Sequence, residues 1–255
     1  MSSHTWTQGE LSFSLTSVDC GAWRVVEAQH YSSTMKLTDT LDEQGVLERL
    51  IENTKPPVPD ECRHLNFLLS APFRYRPYPT GSRFRKAGNT AGVFYCAAAS
   101  RTAIGELAFY RVLFFAESPD TPWPSNPSEY TAFAVALRSD RALDLTGEAF
   151  DNERSILEHL TDYSRCQQIE TSFRTAGGEI LIYKSVRDQH GGINYAVLKC
   201  SAFGENMPTK MESWRIYLSS SGVRATRDFP KLSIEFDPAS FNADPRVAAM
   251  NWVRA

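Results

Sequence analysis

The sequence predicts an α+β fold. Apolar runs of strand length (GVFYCAA, YTAFAVAL, EILIYKSV and INYAVLKC) share the chain with long helical stretches. They do not follow the regular βαβ order of a doubly wound sheet. Proline- and glycine-rich breaks separate them. The 255 residues, 42% apolar and 22% charged, suffice for one large domain or one domain with extensions.

ELSFSL alternates at period two and reads as a strand. TLDEQGVLERLIENTK reads as a helix with capping-box spacing at Thr40 and Glu43, and Val46, Leu47, Leu50 and Ile51 share one face. KPPVP stops it. Residues 1–60 therefore read as an N-terminal extension, helical and extended. In FRYR and SRFR, arginines alternate with Phe73, Tyr75 and Phe84; if extended, each piece has an aromatic and a cationic face. The prolines at 77 and 79 keep the link between them extended or turned. GVFYCAA is apolar on both faces and belongs centrally in a sheet. SRTAIGELAFYRVLFF is a helix with Ser100 or Thr102 as its cap. A proline-rich loop leads into YTAFAVAL, and a helical region from about Asp151 to Thr175 ends at Ala176-Gly177-Gly178. EILIYKSV and INYAVLKC are strands joined at Gly191-Gly192. ESWRIYLS and KLSIEFD are strands of a C-terminal extension, residues 211–255, packed on a core of 61–210.

The net charge of −3 argues against a protein that coats nucleic acid or an acidic membrane. Five widely spaced cysteines without a C-x-x-C fit a reducing cytosol and argue against a disulfide framework or a zinc site. Histidines are scattered, so no metal is expected. The N-terminus lacks a basic start and an apolar stretch of signal type, and no apolar run is long enough to span a bilayer. A cytoplasmic protein is the expectation.

Charge is nevertheless uneven. No Asp or Glu occurs between Glu61 and Glu106, whereas Arg63, Arg74, Arg76, Arg83, Arg85, Lys86 and Arg101 do. Arginine forks hold phosphate by paired, charge-assisted hydrogen bonds, and Gly81, Gly88 and Gly92 permit close backbone approach. The ordinary reading, carboxylate partners elsewhere in the chain or plain solvation, carries about equal weight. Neither a Walker motif nor a G-x-G-x-x-G turn is present, which disfavours P-loop and Rossmann nucleotide enzymes. Glu106, early in its helix, is by itself a helix-dipole carboxylate; beside phosphate-binding arginines it could oppose positive charge on a sugar ring. Ser185 ends a strand, where a cap or turn role is usual. Tyr75 and Tyr95 are core aromatics before they are stacking platforms. Ser82, Ser185 and His190 form no recognisable nucleophile–base set.

Taken together, PFRYRPYPTGSRFRKAGNTAGVFYCAAASRTAIGELAFYR and IYKSVRDQHGGINYAVLKCSAF resemble the RES domain family, over about residues 70–205. Arg74 matches its early arginine, and Arg83 the arginine of its glycine–arginine turn. Tyr95 matches the strand tyrosine, Ala103 and Glu106 the helix pattern, and Ser185, Val186, Arg187 and Asn194 the last motif. Ser82, Phe84 and Arg85 depart from the family's glycine, tryptophan and asparagine.

The resemblance implies an ADP-ribosyltransferase-like split sheet, NAD as substrate and no metal. It implies that Arg74 and Arg83 hold the pyrophosphate, that Glu106 opposes an oxocarbenium-like ribose, and that Ser185 positions it. Tyr75, Arg85, Tyr95, Arg187 and Asn194 would line the pocket. The acceptor would be inorganic phosphate, water or a protein. The implied biology is a toxin blocked by a helix-turn-helix antitoxin of the Xre type, as a homodimer or a hetero-oligomer. Two other readings stand beside it. One is a module binding single-stranded nucleic acid through its arginines and aromatics, disfavoured by the charge. The other is a non-catalytic interaction protein.

Overall fold

One long strand, Ser128–Asp144, organises the molecule. The structure is a computed structural model that describes residues 15–28, 33–75, 79–88 and 90–254. In chain order its elements are β1 (Leu15–Glu27), α1 (Leu41–Thr54), α2 (Phe67–Arg74), β2 (Phe94–Ala97), α3 (Ser100–Glu117) and β3 (Ser128–Asp144). There follow α4 (Arg154–Leu157), α5 (Ser164–Thr175), β4 (Ile180–Lys184), β5 (Ile193–Val197), β6 (Lys210–Ser219), β7 (Gly222–Arg227), β8 (Leu232–Phe236) and α6 (Pro245–Ala248). This is the mixed α+β architecture the sequence predicts.

Among the described residues the strands form one sheet in the order β1-β2-β5-β4-β3-β6-β7-β8, and β1 also pairs with β3. The first five strands therefore close on themselves, and β6–β8 continue outward from β3. Only β3–β4 is parallel. The other pairs are antiparallel. β3 serves three neighbours: one edge pairs with β1, and the other is shared, residues 128–134 pairing with β6 and residues 142–144 with β4.

Three apolar clusters cover the sheet. One joins β1, β2 and β3 to Leu65 and Leu69 of the α2 region. The second packs Ile104, Ala108, Phe109 and Val112 of α3 against Trp214, Ile216, Ala225 and Ile234. The third gathers Phe84, Leu181 and Ala196 with Ile169 and Phe173 of α5. Gly92 is obligatory where two clusters meet, since a Cβ there would lie 2.3 Å from the Phe73 Cα.

Several expectations are corrected. ELSFSL lies outside the described residues except for Leu15. Residues 15–27 are no appendage: β1 pairs with β3 from Leu15–Leu143 to Glu27–Tyr130. The strand was hidden by its solvent-facing Thr16, Ser17 and Asp19, which dilute its alternation. β7, in GVRATR, was hidden by its two arginines, exposed Arg224 and Arg227 packed over Trp214, yet it is bonded on both edges. The 151–175 region is broken, with a 3-10 turn at Glu148–Glu153, then α4, then α5.

The capping box at Thr40 and Glu43 is present. The apolar face of α1 is left uncovered, with Val46, Leu50 and Ile51 exposed. Phe73 and Arg74 are not extended but close α2, because the Asn66 side chain accepts from Leu68 N–H at 3.0 Å and starts a helix there. SRFR is a tight turn, Ser82 and Arg85 exchanging backbone hydrogen bonds of 2.7 and 3.1 Å. Residues 76–78 of the intervening link lie outside the described residues.

Cys62 and Cys200 form a disulfide, with Cα atoms 5.4 Å apart, against the expectation of none. Their wide sequence spacing concealed that two 3-10 turns meet. Cys20, Cys96 and Cys166 are free, and burial pushes the Cys96 and Cys166 thiols up. No helix among the described residues is long and apolar enough to cross a membrane.

Candidate active site

Glu106 sits nearly two turns into α3. Neither expected cap starts this helix: Ala99 is the N-cap and contributes no side-chain bond. Thr102 instead donates its hydroxyl to Asp188 Oδ2 at 2.7 Å. Gly192 packs over that bond so closely that a Cβ would lie 2.2 Å from the Thr102 hydroxyl. This contact fixes α3 against the β4–β5 connection and so sets Glu106 beside both strands.

Ser185 follows β4 and is 2% exposed. Its N–H donates to Gly192 O at 2.7 Å. Its Oγ accepts from Arg187 N (3.2 Å) and Asp188 N (3.0 Å), which leaves its proton to point at Glu106 Oε1, 2.7 Å away. Asn194, on β5 and opposite Tyr183, donates Nδ2–H to the same Oε1 at 2.7 Å. One carboxylate oxygen is thus held by two donors, and Oε2 takes no hydrogen bond among the described residues. Asn194 Oδ1 is buried without a partner. Such an orphan costs about 1–3 kcal/mol unless something supplies a donor, so it calls for an explanation.

The turn lies nearby. The Tyr95 hydroxyl accepts from Phe84 N–H at 3.0 Å and shares a 2.9 Å bond with Ser82 Oγ. Burial pushes its ionisation up to about 12, so it stays a neutral clamp. Tyr183, edge-on to Phe84 at 4.8 Å, is raised well above its ordinary value by burial and feels the Glu106 charge. Tyr110 is one turn beyond Glu106 on the same helix face and lies within electrostatic reach of Glu106, Tyr163 and Arg187.

The arginines do not converge as expected. Arg83 is 8% exposed, donates to Leu157 O (2.6 Å) and His159 O (3.0 Å), and stacks 4.6 Å over the Tyr163 ring. Arg187 pairs with Asp244 at 2.7 Å, donates to Leu160 O at 2.7 Å and lies 3.7 Å over Phe109. These two arginines pin the 157–160 segment by its carbonyls. Arg85 donates to Tyr75 O (2.7 Å) and Thr90 O (2.8 Å), and burial lowers its pKa. Arg74 pairs with Glu52 at 2.7 Å and donates to Pro56 O at 2.6 Å. With Tyr75 it lines an open groove of about 750 Å³ that also presents Arg24, Lys55 and Arg63.

Of the sequence-derived set, Glu106, Ser185 and Asn194 meet at one point, with Arg187 tied in through the turn. Arg83, Arg85 and Tyr95 build the adjoining turn, and Arg74 and Tyr75 lie in the groove. Sequence reasoning missed Tyr110, although its spacing from Glu106 was available. It also missed Tyr163, Asp244 and Arg246, which carried no motif.

Glu106, partly buried, thus meets the buried Ser185 and Asn194 on an α+β scaffold. The RES domain matches residues 58–219, and the chain belongs to that family. Comparison with curated proteins finds no match. Among solved structures, the chain is similar to one in the "Crystal structure of the M.tuberculosis MbcT-MbcA toxin-antitoxin complex". The identity is 12% and the TM-score 0.43, over 92% of this chain and 94% of that one.

Proposed function

We propose that the protein cleaves NAD at the nicotinamide–ribose bond and acts as the toxin of a toxin–antitoxin pair. Membership of the RES family motivates the reading. The observation that carries it is the pinning of Glu106 Oε1 by Ser185 and Asn194, while Oε2 takes no hydrogen bond among the described residues. A carboxylate held by one oxygen, with no protein donor on the other, suits a ribose hydroxyl or the positive charge that develops on the ring.

In this reading the bond to nicotinamide breaks with its electron pair leaving on the nicotinamide nitrogen. The ribose carbon becomes oxocarbenium-like, and the open Glu106 oxygen opposes that charge. A preorganised contact of this kind is worth roughly 3 kcal/mol. Ser185 and Asn194 keep the carboxylate from turning. Inorganic phosphate, water or a protein nucleophile then captures the ribose carbon. An ADP-ribosyltransferase-like scaffold belongs to this reading, although the sheet is one continuous sheet with β1–β5 closed on themselves rather than the split sheet expected.

The pyrophosphate arginines divide into two kinds. Arg74 has an exchangeable partner, because the carboxylate of Glu52 is half-exposed and such a pair is weak. Arg83 is committed to backbone carbonyls and serves as scaffold. The antitoxin, a helix-turn-helix protein of the Xre type, would occlude the site. The nucleic-acid reading loses support, since Phe84 is fully buried in a tight turn and Phe73 and Arg74 are helical.

The test is incubation of partner-free protein with NAD, with and without phosphate, followed by mass spectrometry of the products. Nicotinamide is expected, with a ribosyl phosphate product when phosphate is the acceptor. No nicotinamide with any acceptor offered would overturn the reading.

A further inference from the structure

Asp244 and Arg246 lie outside the residues matched by the family, yet they reach the site. The C-terminal segment packs along α3: the Phe236 ring lies against Gly105, immediately before Glu106. Asp244, 1% exposed, receives Arg187 Nη1 on Oδ2 at 2.7 Å. The same oxygen receives Arg246 Nη2 at 2.8 Å, and Oδ1 receives Arg246 Nε at 3.0 Å. One buried carboxylate therefore serves two guanidinium groups, which leaves one positive charge uncompensated in the cluster. The Arg187 side chain is 4% exposed and Arg246 34%, so that charge reaches solvent only through Arg246.

The place where it emerges is specific. Arg246 lies beside Tyr163, and its guanidinium is 5.5 Å from the Phe109 ring centroid. Phe109 and Tyr110 are the residues one turn along α3 from Glu106, and Tyr110 senses both Glu106 and Tyr163. Arg246 thus presents a cation at the rim of the Glu106 centre, held rigid by a two-point contact with a buried base. A guanidinium held by a buried carboxylate through Nε and Nη2, with Nη1 bonded to no carboxylate among the described residues, is the chemistry that receives a phosphate oxygen.

We infer that Arg246, supplied by the C-terminal segment, is a phosphate-binding residue of the Glu106 site. This rests on the NAD reading for the identity of the substrate, but not for the presence of an anion site. The phosphate would be either the dinucleotide's own or an inorganic phosphate acting as acceptor, and both present the same oxygens.

The experiment is calorimetric titration of ADP-ribose and, separately, inorganic phosphate into the full chain, Arg246→Gln and Arg246→Lys, with melting curves of each. Arg246→Gln keeps the buried Arg187–Asp244 pair, so it is expected to fold. The expected result is at least a tenfold loss of affinity in Arg246→Gln, partial recovery in Arg246→Lys, and little change in melting temperature. Loss for ADP-ribose alone places the dinucleotide's phosphate there, and loss for inorganic phosphate alone places the acceptor there. Unchanged affinity in Arg246→Gln overturns the inference. So does a loss that tracks a lowered melting temperature and is not recovered by lysine. If NAD yields no nicotinamide while binding of either anion still depends on Arg246, the proposed function fails and the subsite stands.

Discussion

The Ser185 hydroxyl donates to Glu106 Oε1 at 2.7 Å while accepting the backbone N–H groups of Arg187 and Asp188. The two acceptances fix where the proton points, so the serine acts as a rigid donor to the carboxylate. Ser185→Ala removes this donor and leaves only Asn194 on that oxygen. We expect nicotinamide release to fall about 10- to 100-fold, by loss of a preorganised contact. Loss of the turn's acceptor should also cost about 1 kcal/mol of stability. Parallel measurement of turnover and urea unfolding separates the two effects; full activity in a folded Ser185→Ala would make the serine a turn residue only.

Asn194 bonds Glu106 through Nδ2 and keeps Oδ1 without a partner. Asn194→Leu removes both groups at similar size. Because the orphaned oxygen is a burden in the empty protein, this variant should melt no lower than the parent while losing substrate affinity. Calorimetry with NAD or ADP-ribose checks it, and undiminished affinity would show that Oδ1 meets no ligand.

Arg83 and Arg74 should respond differently to lysine. Arg83→Lys loses a fork that spans two carbonyls and stacks on Tyr163, so it should lose about 2–3 kcal/mol of stability. Arg74→Lys keeps the charge of a half-exposed ion pair and loses the bond to Pro56 O, so stability should fall by no more than about 1 kcal/mol while NAD binding weakens. Chemical denaturation and NAD titration of both variants would expose a reversed pattern.

Tyr95 supplies an alkaline signature. Burial raises its folded-state value to about 12, above the ordinary 10, so folding favours the neutral phenol. Its contribution is complete below pH 10 and is lost as pH rises toward 12. Tyr95→Phe should therefore be less stable than the parent at pH 8, by about 1 kcal/mol for the lost bond to Phe84 N–H. The gap should shrink between pH 10 and 12. A gap that stays constant across that range would mean that Tyr95 ionises no differently in the folded state.

The sequence disclosed what local physics decides. The capping box fixed α1, and the apolar runs marked β2–β5 because strands buried on both faces need no alternation. Glu106, Ser185 and Asn194 were legible because each belongs to a short motif of the RES family. The fate of the arginines was not, since nothing in FRYR says that Asn66 starts a helix through it. Nor does SRFR reveal that Arg83 turns inward to the carbonyls of Leu157 and His159. Asp244 and Arg246 were illegible for the same reason: only the packing of the C-terminal segment against Gly105 and Phe109 gives them a role.

The most direct test of the central proposal is the rate of nicotinamide release from NAD by Glu106→Gln compared with the parent, in partner-free protein shown by its melting curve to be folded. The amide keeps the size of the side chain and removes its charge. We expect a loss of about 100-fold or more in turnover, the scale of one electrostatic contact made in the transition state. Turnover within a few-fold of the parent would contradict the proposal and return Glu106 to a structural role in α3.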